Sequence, residues 1–127
     1  KINKKVKFIP HCKEMPLAYS LADVVVSASI EPEAFGRVSV EAQSMGKPII
    51  ASNIGGSKET VINKKTGLLY KYDDPRELAK CLNAVIQLSP DELKSMGNEG
   101  RKNVTKKFDV ETMCQSNLTE YKRLIKN

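Results

Sequence analysis

Two short apolar runs, Val24-Val25-Val26-Ser27-Ala28 and Pro48-Ile49-Ile50-Ala51-Ser52, flank a segment with helical spacing, and this arrangement narrows the fold most. Apolar runs without polar alternation read as strands buried on both faces, as in a parallel sheet. Parallel neighbours need a crossover, and Arg37 to Met45, stopped by Gly46, supplies one as a helix. The alternation extends both ways. Upstream, Val6-Lys7-Phe8-Ile9 reads as a short strand stopped by Pro10, and Glu14 to Ala22 as a helix with Leu17, Ala18, Leu21 and Ala22 on one stripe. Asp23 opens the strand through Ser27. Downstream come a Gly55-Gly56 turn, a short helix near Ser57 to Ile62, and a last strand, Gly67-Leu68-Leu69-Tyr70.

From there the pattern is helical. Pro75 to Leu88 carries Leu78, Ala79, Leu82, Val85 and Ile86 on one face, Ser89-Pro90-Asp91-Glu92 is an N-cap signature for a helix through Lys106, and Asp109 caps a final helix. That helix spaces Val110, Met113, Asn117, Tyr121, Leu124 and Ile125 along one side. Strands alternating with helices define the α/β class with a mostly parallel sheet in three layers. Four short strands make a narrow sheet, so residues 1–127 are expected to be one partial domain, the later part of a larger one, with 109–127 as its C-terminal helix.

Composition excludes several classes. With 40% apolar and 28% charged residues the chain is of ordinary globular make-up, and no apolar run reaches the roughly 18 residues of a membrane span. It opens Lys1-Ile2-Asn3-Lys4-Lys5, with neither a Met nor the apolar core of a signal peptide, which suggests trimming or a longer parent. Cys12, Cys81 and Cys114 are odd in number and widely spaced, against a disulfide framework or zinc site and in keeping with a reducing cytoplasm. The net charge of +6 gathers in lysines near the two ends. Without interleaved aromatics this reads as a solvated basic face rather than a nucleic-acid surface, with contact at an anionic membrane surface as the intermediate case. His11 is the only histidine, so the chain alone assembles no histidine metal cluster or triad; it is an idle loop residue or a contact for a nucleotide base.

Chemistry concentrates in Glu31-Pro32-Glu33-Ala34-Phe35-Gly36-Arg37-Val38-Ser39-Val40-Glu41-Ala42, where a strand hands over to a helix. In α/β sheets ligands bind at that edge, because the helix start offers free N–H groups to an anion. The N–H groups of Gly36, Arg37 and Val38 suit a diphosphate, although Gly36 has a sufficient reason to be there in the turn itself. Glu33 sits in the loop. Glu41, three positions after Val38 and four before Met45, falls on the stripe expected to face the sheet, where a carboxylate needs donors. A pair of ribose hydroxyls would supply them; a glutamate turning its stem to solvent is the alternative. Gly55-Gly56 is a structural turn or a second close approach to ligand, and Glu59 is accounted for by the helix dipole.

Ala22 to Val26, Glu33 to Val38, Glu41-Ala42, Met45 to Ala51, Gly55-Gly56, Glu59 to Val61 and Thr66 to Leu69 together resemble the C-terminal domain of the group 1 glycosyltransferases. Asp74-Pro75, Met96-Gly97 and the tail from Phe108 to Tyr121 extend the likeness over nearly the whole chain. The resemblance implies the donor half of a retaining enzyme with two Rossmann-like domains (the GT-B architecture), here without its first strands. By it, Glu33 is the catalytic glutamate near the reacting carbon and Glu41 holds the ribose. Ala34, Phe35 and Gly36 then line the sugar, while N–H groups of Gly36, Arg37 and Val38 receive the diphosphate. No metal or other cofactor is implied; the nucleotide-diphosphate sugar is a substrate, and no nucleic acid is involved. Family members retain configuration by front-face attack and serve polysaccharide or glycolipid assembly in the cytoplasm or at the inner membrane face. They also carry an Arg and a Lys earlier in this domain, and an N-terminal acceptor domain with a catalytic His, which would come from elsewhere. Pro10 stands where glycine is common. A non-catalytic remnant or split-gene subunit working by association is the competing expectation.

Overall fold

The computed structural model describes residues 5–125. Helix α1 (Met15–Leu21) leads into β1 (Val25–Ser27), α2 (Arg37–Ser44), β2 (Ile49–Ser52), α3 (Ser57–Thr60) and β3 (Gly67–Tyr70). Helices α4 (Pro75–Ile86), α5 (Pro90–Lys107) and α6 (Val110–Ile125) follow. The strands form one parallel sheet in the order β1-β2-β3, with Val25 opposite Ile49 and Ile49 opposite Gly67. All four residues of β2 are buried, as expected of the central strand of a covered parallel sheet.

Alternation along β2 divides the core in two. Ile49 and Ala51 point to one face, where they meet Tyr19, Ala42 and Val61. Ile50 points to the other and packs with Tyr70 and Val85, bordered by Leu68, Leu78, Leu82 and Leu93. The outcome is the expected α/β layering, with α1, α2 and α3 on one face and α4 on the other. Helix α5 lies on α2 at very short range, because Gly97 leaves no side chain against Gly46.

Helix ends follow sequence chemistry. Helix α2 closes in a Schellman motif: Gly46 at φ 67° donates to the Gln43 carbonyl at 2.9 Å, and Lys47 to that of Ala42 at 3.0 Å. The Ser89 side chain and Glu92 form a reciprocal capping box at the start of α5. Asp74 caps α4 by accepting from the N–H groups of Arg76 and Glu77 at 3.0 and 3.1 Å. Asp74→Ala should cost about 1 kcal/mol, read as a lowered midpoint in urea unfolding with an unchanged slope.

Three expectations are corrected. Val6-Lys7-Phe8-Ile9 forms no strand; Phe8 and Ile9 are exposed, and among the described residues β1 pairs only with β2. A strand exists only by pairing, so an apolar run without a neighbour remains irregular. In α1 the Leu17–Leu21 stripe faces outward, Leu21 being 79% exposed, and Tyr19 is the residue that enters the core at 5%. Helix α6 keeps its apolar spacing but none of its residues is buried.

Candidate functional site

The site lies at the carboxyl edge of the sheet. After Ser27 the chain runs through the acidic loop to Gly36, which holds φ 78° as the N-cap of α2. That left-handed conformation is strained for any residue with a Cβ, and space is short as well: a Cβ there would stand 3.2 Å from the Ser57 nitrogen and from the Thr60 hydroxyl. The turn after β2 holds the loop from below. Gly56 donates its N–H to the Glu33 carbonyl at 2.8 Å, and the Thr60 hydroxyl donates to the Gly56 carbonyl at 3.0 Å. A Cβ on Gly55 would come 2.5 Å from the Glu33 oxygen, and one on Gly56 would overlap the Phe35 backbone. The structural role of the Gly55-Gly56 turn is therefore clear: it lets two loops touch backbone to backbone.

Glu33 is half-buried and accepts from the Ser29 hydroxyl at 3.2 Å. Ala34 is exposed, and the Phe35 ring meets Phe108 edge to face at 5.6 Å, tying the end of α5 to the loop. Gly36 is buried, whereas Arg37 and Val38 are exposed at the open end of α2. The first-turn N–H groups there have no partner within the helix and carry the positive end of its dipole.

Glu41 requires a correction. The residues of α2 that enter the interior are Ser39, Ala42 and Gln43, all fully buried, while Val38 and Met45 are 36% and 37% exposed. Ser39 and Gln43, polar and absent from an apolar stripe, are the inward face, so Glu41 sits on the flank of the helix beside α1. It does have donors, and they belong to the protein. The Tyr19 hydroxyl donates to Oε2 at 2.9 Å and the Arg37 guanidinium to Oε1 at 3.1 Å. Burial, and secondarily the Glu41 carboxylate, push the Tyr19 hydroxyl up to about 12, so at neutral pH it remains a donor.

Glu41 and Arg37 line an open cleft of about 430 Å³ with Lys13, Met15, Tyr19 and Met45. Glu33, Ala34, Phe35, Gly36 and Val38 do not line that cleft: Glu33 pairs with Ser29 in the loop and Glu41 with Tyr19 and Arg37 on the helix, so the two glutamates have separate partners. Tyr19 and Lys13 had escaped the sequence reading. A buried tyrosine needs a partner for its hydroxyl, and that requirement is the signal that could have found Tyr19. Gln43 was missed as well: its Nε2 donates to the carbonyls of Ser39 and Thr60 at 3.0 and 2.9 Å, which binds α2 to α3.

A parallel three-stranded sheet covered by helices, with a glycine-capped helix starting at its carboxyl edge, defines the Rossmann-like α/β class, in which ligands bind outside the carboxyl ends of the strands. Residues 1–103 match the family model of the glycosyl transferases group 1, and the chain belongs to that family. It is 30% identical over 98% of its length to the capsular polysaccharide biosynthesis glycosyltransferase CapM of Staphylococcus aureus, of which it spans 32%. Among solved structures, a glycosyltransferase from Rickettsia africae superposes with a TM-score of 0.91 at 35% identity, covering 99% of this chain and 34% of that one. HepE of Anabaena, in complex with UDP, gives 0.89 at 30% identity, over 96% of this chain and 33% of HepE. The chain thus spans about a third of the length of each of these three proteins.

Proposed function

We propose that residues 1–127 form the donor-binding part of a retaining glycosyltransferase that takes a nucleotide-diphosphate sugar, in polysaccharide or glycolipid assembly of the cell envelope. The observation that carries this reading is the joined edge: a glycine-capped helix start, Glu33 in the loop before it, and Glu41 on a cleft beside it. The UDP complex of HepE and the capsular polysaccharide role of CapM support the substrate class.

In this reading the diphosphate meets the N–H groups of Gly36, Arg37 and Val38, and the helix dipole stabilises its charge as the glycosidic bond breaks. Glu33 stands toward the sugar, lined by Ala34, Phe35 and Gly36, and Glu41 accepts from the ribose hydroxyls. The acceptor hydroxyl attacks on the face the diphosphate leaves, so configuration is retained without a protein nucleophile, and positioning carries the rest of the rate. An acceptor domain with further phosphate-binding groups is required, and this chain alone should turn over little. No helix among the described residues is long and apolar enough to cross a membrane. We place the protein in the cytoplasm, with its basic surface able to approach the anionic inner membrane face.

Titration with UDP, GDP and ADP sugars, followed by amide NMR, should shift resonances at Glu33, Gly36 and Glu41; shifts confined elsewhere would end the reading. Glu41→Ala should weaken nucleotide binding by about 1–3 kcal/mol by calorimetry. The second reading, a non-catalytic subunit acting by association, draws on the one-sided pairing of β1 and the unburied α6. Co-purification with another transferase half, in the absence of any nucleotide-induced shift, would favour it.

A further inference from the structure

The bond between Tyr19 and Glu41 joins α1 to α2 at the cleft, twenty-two residues apart in sequence. Tyr19 is 5% exposed and its ring is part of the core beside Ala42 and Ile49, so its hydroxyl has a fixed position. Arg37 is the opposite case. Its side chain is 83% exposed, and an exposed pair of this kind, four residues apart on a helix, is easily exchanged. One carboxylate oxygen is thus held by a buried neutral donor and the other by a solvated cation. Each oxygen retains a further lone pair, and Glu41 lines the cleft.

We propose that Tyr19 is a positioning residue for ribose recognition: it fixes Oε2 of Glu41, while Arg37 yields Oε1 to the hydroxyl pair of an incoming nucleotide. This rests on the donor-site reading above. Without the tyrosine hydroxyl the Glu41 carboxylate is free to rotate and to follow Arg37 into solvent, and a hydroxyl pair then has to order it on binding. The effect belongs to the diol and not to the base or the diphosphate, which separates positioning from general support of the fold.

The test measures binding of UDP and of 2′,3′-dideoxy-UDP to the full chain, as wild type, Tyr19→Phe, Glu41→Gln and the double variant. Tyr19→Phe keeps the ring in the core, and it should weaken UDP about 5- to 10-fold while leaving the dideoxy nucleotide within about twofold. It should add little once Glu41→Gln is present. Equal weakening of both nucleotides would make Tyr19 merely structural and overturn the proposal. If Glu41→Gln alone abolished the preference for UDP and Tyr19→Phe left it intact, the proposal would fail while the donor site stood. Wild type that binds neither nucleotide would remove both. A fluorotyrosine at position 19 gives an independent readout within a folded protein: its ¹⁹F signal should move with UDP and not with the dideoxy form, and an unmoved signal refutes the proposal.

Discussion

Gly97→Ala should unfold the protein at markedly lower temperature, although alanine is the better helix former. Gly97 lies within α5, and a methyl placed on it would overlap the carbonyl oxygen of Gly46. Alanine gains about 1 kcal/mol of helix propensity over glycine. Overpacking against backbone typically costs 1–3 kcal/mol and sometimes more, since backbone cannot rotate aside as a side chain can. The clash wins, because relief requires α5 to lift from α2 along the whole contact. We expect a net loss of about 1–2 kcal/mol, or roughly 4–8 °C in Tm by calorimetry. Gly100→Ala is the control. The three atoms nearest its methyl would all belong to the Gln43 side chain, the first at 3.0 Å, so a smaller loss is expected. Equal losses at the two positions would show that helix contact distance is not what Gly97 sets.

The second large effect is Gly56→Ala, which should damage the fold and the site together. Gly56 has an ordinary helical φ of −62°, so strain plays no part; the cost comes from overlap with the Phe35 backbone. Relief must push the acidic loop away from the turn after β2, breaking the bond from the Gly56 N–H to the Glu33 carbonyl. Since Glu33 and Gly36 are on that loop, nucleotide binding should fall by more than the roughly 1–3 kcal/mol expected for Glu41→Ala. Stability should drop by about 2–3 kcal/mol in urea unfolding. A variant that loses stability but binds UDP as tightly as wild type would show that the loop's position is irrelevant to the ligand.

Local chemistry made much of this readable in advance. Gly46, the Ser89-Pro90-Asp91-Glu92 signature and Asp109 each act within a few residues, and each sets a helix end in the structure; Thr112 donates to Asp109 at 2.6 Å. The runs at Val24 to Ala28, Pro48 to Ser52 and Gly67 to Tyr70 declare parallel strands by their lack of alternation, and all three are strands; the first two are shorter than expected, and only β2 is buried throughout, Val26 of β1 being 40% exposed. Gly36 and the loop before it were legible because a turn of that conformation needs glycine.

What escaped depends on partners remote in sequence. Val6 to Ile9 has a strand's composition, and whether it pairs is decided by what lies beside it. Which side of α1 enters the core, and whether Glu41 faces the sheet or its flank, turn on rotations that an apolar stripe does not fix when Gln43 and Ser39, both polar, take the interior face. The sequence by itself determined the order of elements, their ends and the α/β class, because propensity, caps and buried runs are short-range. Only the tertiary structure decided that Tyr19, twenty-two positions away, donates to Glu41, and that two pairs of loops and helices meet through glycine, because contact between distant segments is set by packing of the whole.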